Sequence, residues 1–373
     1  MARIVYVPSA AHWEVRPPAE LGLRAEGLQA AIAWHRRHES AWPRDFLTGE
    51  GRYLGVADEP PDSQVLGPVR PRKDPNGLVV RHGYLAAEWG DTGRADMSFS
   101  IAKSYLAVLA GLAVQRGLIR DVDEPVAATA VDDGFASGHN APITWRHLLT
   151  QTSEWQGTLW GKPDSIDHNR DVGKSELGFS SKGQPRPLRP PGTLWEYNDV
   201  RVNRLSLSLL QRFRCPLSGL LREAIMDPIG ATADWEWHPY RNSWIDLDGR
   251  RLPAVPGGSH WGGGLWMATR DHARFGLLVH WRGAWGTRRL LDAGWIEQML
   301  RPCALNPQYG MLWWLNTGRA QTPSTPESCY AARGAGSNVI WIDPEHDLVV
   351  VVRWIDKANL DGFLALILES VTS

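Results

Sequence analysis

Residues 98–113 read SFSIAKSYLAVLAGLA, an almost wholly apolar helix candidate with one lysine inside its first turn. A helix that is apolar on every side has to be buried, so the segment predicts a core helix around which the chain is wrapped. Ser100 and Lys103 form the one Ser-x-x-Lys pair in the sequence. Positions three apart share a helix face, with roughly 5–6 Å between Cβ atoms. The serine would then sit at the helix start, where unpaired N–H groups and the positive end of the dipole favour an oxyanion. Burial and that same field lower the proton affinity of the lysine, so that it can take a proton an ordinary lysine, with a pKa of ~10.4, would not. The plain alternative is a capping serine and a lysine whose stem lies along apolar surface with its head in water.

The composition excludes other classes. Forty Lys+Arg against 41 Asp+Glu give a net charge of -1, which does not suggest nucleic acid as a partner. Cys215, Cys303 and Cys329 are far apart and odd in number, which fits a reducing compartment rather than a disulfide framework. The start, MARIVYVPSAAHWEV, lacks the apolar stretch of a signal peptide. The longest apolar run, 105–114, is about half of what a bilayer span needs. A cytoplasmic chain without membrane contact is expected, and an oligomer is compatible with the sequence. Twenty Trp residues are either core filling or the lining of an aromatic cleft.

The ends of the chain look α+β and the middle helical. Residues 25–38 carry helical spacing, and GLVVRHGYLAAEWG (77–90) reads as two strands joined at His82-Gly83. Residues 338–342 are strand-like, 343–347 a turn, 348–354 a buried strand, and 360–371 a closing helix. Helical periodicity marks 142–150, 200–212, 217–226 and 270–281, while 156–192 reads as a long surface loop. The expected fold is α+β: an antiparallel sheet built from both chain termini, flanked by helices, with a mostly helical inserted region. Residues 1–105 and 290–373 would form the sheet domain and 106–289 the helical one, with the site at their junction.

The Ser-x-x-Lys segment resembles the nucleophile motif of the serine β-lactamase and penicillin-binding-protein superfamily. Further matches follow in that family's order. ITWRHLLTQTSEW (143–155) resembles its helix and "HLLTQTSG" turn, with Glu154 where glycine is usual. PGTLWEYNDVRVNRLSLSLL (191–210) resembles the segment that supplies the tyrosine of its Tyr-x-Asn motif, here Tyr197-Asn198-Asp199. GGGLWMATRDHARFGLL (262–278) and ARGAGSNVIWIDPEHDLVVVV (332–352) resemble its later elements, the second being the strand beside the active site. The resemblance runs from about residue 77 to 354, and within the class C β-lactamase-related serine hydrolases it is greatest to the esterase and 6-aminohexanoate-dimer hydrolase branch. A β-lactamase/transpeptidase-like fold is what this implies.

The resemblance implies Ser100 as nucleophile, Lys103 as base or relay, and Tyr197 as second proton-transfer group. It implies an oxyanion hole from the backbone N–H of Ser100 and one from Gly334 or Ala335. No cofactor and no metal are implied, and the partner is a small ester, amide or short peptide-like substrate. Two departures stand out. Asp199 replaces the usual asparagine; it can accept from Lys103 but cannot donate an amide N–H, and it could hold Lys103 protonated and move the base role to Tyr197. The Lys-Thr-Gly triplet is missing: Asn316-Thr317-Gly318 lacks the lysine, and Arg333 stands near the matching place as a substitute. Substrate shape is expected from Trp155, Trp160 and His168, and from Ser259, His260 and Trp261. The alternatives are β-lactamase or D-amino-acid peptidase activity, or an inactive binding module on the same fold. An α/β-hydrolase is disfavoured because no G-x-S-x-G elbow exists, and a metal hydrolase because no H-E-x-x-H spacing does.

Overall fold

The protein is seen in a computed structural model that describes residues 4–47, 49, 53, 62–170, 172 and 181–372. A six-stranded antiparallel sheet runs in the order Trp314–Leu315, Tyr330–Gly334, Asn338–Asp343, Leu348–Arg353, Asn76–Arg81, Tyr84–Trp89. Both chain ends contribute, as the sequence predicts. The run LVVVVR is apolar without alternation because both faces of its strand are covered. Val349 and Val351 pack into the larger core, while Leu348, Val350 and Val352 face the smaller cluster under the terminal helices.

The terminal helices are α1 (Ala25–Arg37) and α8 (Leu360–Glu369), which pack together over one face of the sheet. On the other face lie α2 (Ile101–Gln115) and α6 (Thr269–His280). Thirteen consecutive residues of α2, Ile101 to Ala113, are buried, lysine included. Its surroundings explain the composition. Trp295, on the short helix α7 (Ala293–Met299), donates to the Ala107 carbonyl at 3.1 Å and lies so close to Gly111 that a Cβ there would sit 2.3 Å from the indole.

The middle of the chain supplies α3 (Trp145–Leu149), α4 (Asp199–Phe213) and α5 (Leu217–Leu221), with α4 packed against α2. Helix α3 is shorter than the periodicity predicts, because Thr144 caps it in a reciprocal pair with His147. The helix predicted over 217–226 splits at Leu221 and ends in one π-turn, Arg222–Met226. The expected long loop 156–192 contains a small hairpin, Thr158–Leu159 with Lys162–Pro163, and a 3-10 turn over Asp164–Asp167. Residues 171 and 173–180 of that stretch lie outside the described residues. Among the described residues, no helix is long and apolar enough to cross a membrane.

Candidate active site

Three segments position the site. Ser100 stands immediately before α2, with φ -71° and ψ -4°, and its side chain makes no capping hydrogen bond to the helix. The capping alternative for this serine therefore lacks its contact. The hydroxyl instead meets Lys103, whose Nζ donates to Ser100 Oγ at 2.9 Å. The amine also donates to Asp199 and, at 3.3 Å, to the Gly257 carbonyl. Lys103 is 1% exposed, so it does not reach out to water.

The second segment is Tyr197-Asn198-Asp199. Asn198 is the N-cap of α4, accepting from the Arg201 N–H at 3.1 Å, so its neighbours on either side are fixed at the helix entrance. Asp199 falls in the first turn, where the helix dipole favours a carboxylate. Tyr197 turns its ring toward Lys103, whose Nζ is 4.8 Å from the ring centroid.

The third is the sheet edge. A Cβ on Gly334 would sit 2.4 Å from the Ser98 carbonyl oxygen, so this strand end passes directly beside the turn that carries Ser100. Ala335 follows, half-buried. A backbone loop closes the other side: a Cβ on Gly258 would lie 3.3 Å from Lys103 Nζ and 3.5 Å from Ser100 Oγ.

Electrostatics separate the roles these groups can take. Burial pulls the Lys103 ammonium below its usual range, and Asp199 does not fully offset this. Burial alone would raise the Asp199 carboxyl, but Lys103 and Arg170 hold it well below the usual carboxylate range. Burial, with the Asp199 charge adding to it, pushes the Tyr197 phenol far up, so it stays protonated at neutral pH. A buried neutral phenol is a proton donor and relay rather than a base.

Arg170 carried no signal in the sequence, since it lies in a loop of mixed charge. It donates to Asp199 Oδ2 at 2.6 Å and to Asp167 Oδ1 at 3.3 Å, and its guanidinium carbon is 5.2 Å from the Tyr197 centroid. Asp167 in turn accepts from the Asp199 backbone N–H at 2.7 Å. A wall of aromatic rings adjoins Tyr197: Trp314 is stacked on it at 5.8 Å, and Tyr309 and Trp195 lie at 6.3 and 6.4 Å.

Several residues expected to shape the substrate are placed otherwise. Trp155 is buried and donates to the Gly134 carbonyl at 2.7 Å. Trp261 is fully buried and donates to the Asp62 carbonyl at 2.9 Å. Trp160 packs edge-on to Tyr240 at 5.8 Å, His168 bonds Asp164 at 3.1 Å, and Ser259 closes its own turn on the Gly263 carbonyl. His260 does approach the site, with Nδ1 3.5 Å from Asp199 Oδ2. Arg333 donates to Gln321 at 2.7 Å. Strand alternation puts it on the face of Ala331, against the terminal helices, and opposite to Ala332 and Gly334. That placement does not favour it as a stand-in for the missing lysine. Glu154, where glycine is usual, adopts φ 47°, the left-handed backbone that explains the usual glycine. Arg186 and Arg201 clamp its carboxylate and, against the effect of burial, hold it down to about 2.

Comparison with known proteins gives a consistent picture. No curated protein matches the chain in sequence. Solved structures do match in fold. EstCE1, a hydrolase with promiscuous acyltransferase activity, is 15% identical with TM-score 0.58, covering 94% of this chain and 98% of its own. A candidate 6-aminohexanoate-dimer hydrolase from Bacillus anthracis is 15% identical with TM-score 0.57, covering 96% of this chain and 100% of its own. A β-lactamase from Mycobacterium bovis is 18% identical with TM-score 0.53, covering 80% of this chain and 95% of its own. At such identities the likeness is one of fold. The Beta-lactamase family itself matches residues 97–357, from just before Ser100 to beyond the last strand of the sheet, and the chain belongs to that family.

Proposed function

We propose that the chain hydrolyses an ester or amide bond of a small substrate through an acyl-enzyme on Ser100. The family is one of serine hydrolases. The observation that carries the finer reading is the 2.9 Å contact of Lys103 Nζ with Ser100 Oγ inside a buried cluster. A neutral amine has two N–H groups and one lone pair. Asp199 and the Gly257 carbonyl can only accept, so they take both N–H groups. The lone pair then faces the Ser100 hydroxyl, which has a proton to give.

In the proposed reaction the serine proton passes to Nζ while Oγ bonds the substrate carbonyl carbon. The carbonyl electron pair moves to oxygen, held by the Ser100 N–H and one from Gly334 or Ala335. Collapse expels the alcohol or amine, which takes a proton from Tyr197 as Lys103 resupplies it. Water then attacks the acyl carbon, its proton returns along the same relay, and Ser100 leaves reprotonated. The participants come from all three stretches of the proposed division: Ser100 and Lys103 from 1–105, Tyr197, Asp199 and Gly257 from 106–289, and Gly334 from 290–373. This supports a site at the junction.

Covalent labelling by a fluorophosphonate tests the reading, with mass spectrometry of the Ser100 peptide. Labelling at Ser100, with turnover of p-nitrophenyl acetate or butyrate, is expected. A folded protein that neither labels nor turns over would be an inactive module. A panel of short-chain esters, aminohexanoate oligomers, D-amino-acid peptides and nitrocefin assigns the acyl and leaving groups. Gly258 offers a separate check, because it needs no left-handed backbone and lies against the reacting pair. Gly258→Val is expected to lower kcat/KM by about tenfold to a hundredfold through displaced reacting groups. Its thermal midpoint is expected to move little. Unchanged kinetics would place this loop away from bound substrate.

A further inference from the structure

Aspartate at 199 poses a problem for the mechanism. A carboxylate in direct contact with Lys103 favours the ammonium, which cannot accept the serine proton. The groups facing Lys103 are Ser100, the Tyr197 ring, Asp199, Asp167 and Arg170. Facing Asp199 are, in addition, His260 at 3.5 Å and the Asp167 carboxylate at its backbone N–H. Lys182 reaches Asp167 at 3.4 Å from the far side. Among these, Arg170 alone touches both carboxylates by hydrogen bonds, and its guanidinium shares the Tyr197 ring with the Lys103 amine.

We propose that Arg170 is a positioning residue that occupies the second oxygen of Asp199, so that this carboxylate holds the Lys103 amine in place without holding the proton on it. The inference rests on Lys103 as the base of the proposed function. An arginine is always charged, so Asp199 keeps one permanent cation partner when Lys103 is neutral. With the pair neutralised this way, an aspartate orients the amine as a neutral asparagine would. Arg170 also repels a charged Lys103 directly, which works in the same direction.

The sign follows. Removing the Arg170 charge stabilises the ammonium, so the acid limb of any step needing neutral Lys103 moves to higher pH. The readout is the pH dependence of the rate of fluorophosphonate labelling at Ser100, which requires acylation alone. Arg170→Gln is expected to move the limb up by about one pH unit, a roughly tenfold slower labelling on its acid side. Arg170→Lys, which keeps the charge, is expected to bring it most of the way back. Asp199→Asn is expected to move it to lower pH. Adding Arg170→Gln to Asp199→Asn is expected to move it up again by less, because the route through Asp199 is gone and only the direct repulsion of Lys103 and the pairing of Asp167 are lost. Wild-type protein that does not label, or that labels equally well without Lys103, overturns the proposed function itself. A wild type that labels with an acid limb that stays put in Arg170→Gln and in the double variant overturns the role of Arg170 alone. A loss of thermal stability without a moved limb does the same, since that is all a structural ion pair would give.

Discussion

Ser100→Ala is expected to abolish turnover of p-nitrophenyl butyrate, by roughly a thousandfold or more, while leaving the melting temperature almost unchanged. The size follows from the reaction class, in which every later step depends on the acyl-enzyme bond to Oγ. The silence in stability follows from the local geometry. A serine acting as an N-cap would bond an N–H of the first turn, and its loss would cost ~1 kcal/mol. Ser100 makes no such bond, and its Oγ is engaged by Lys103 instead. Initial rates and a thermal melt on the same preparation separate the two roles. A variant that melts early but keeps its rate would make Ser100 a cap and nothing more.

What the sequence made legible was local or periodic. Three-residue spacing put Ser100 and Lys103 on one helix face, and α2 begins just after that serine. Alternation and turn residues located the hairpin at 77–90 and the last strands, because those signals live within a few residues. Arg170 and Gly258 were invisible for the opposite reason. Each reaches the site from a distant loop, and neither residue type nor neighbours distinguish it until the chain is folded. Tryptophan misled in a different way. Trp155 and Trp261 were both expected at the substrate, but each has a backbone carbonyl for its indole N–H and is buried around it. A satisfied donor allows a large ring to serve as core. Glu154, which stands where the family usually has glycine, is a left-handed residue tied down by two arginines.

The second large effect concerns whether Lys103 acts by its charge or by its lone pair. Lys103→Ala removes both and is expected to slow acylation by about a hundredfold to ten-thousandfold, the usual worth of a positioned base. That result alone would not distinguish the two, since losing a buried cation also leaves Asp199 with one partner fewer. Lys103→Arg does distinguish them. Arginine preserves the positive charge and can donate to Asp199 and the Gly257 carbonyl, but it does not deprotonate in a protein. If charge were the function, the arginine variant would keep much of its rate. On the base reading it is expected to be nearly as slow as Lys103→Ala, with labelling at Ser100 equally depressed. The pH profile of the wild type adds the sign. Burial lowers the lysine, so kcat/KM is expected to fall as pH drops through a limb that lies below the ordinary lysine range of ~10.4. Tyr197, raised by burial and by Asp199, contributes no limb near neutrality, because its phenol keeps its proton throughout. An acid limb that persists unchanged in Lys103→Arg would have to belong to another group, and the assignment of the base would fall with it.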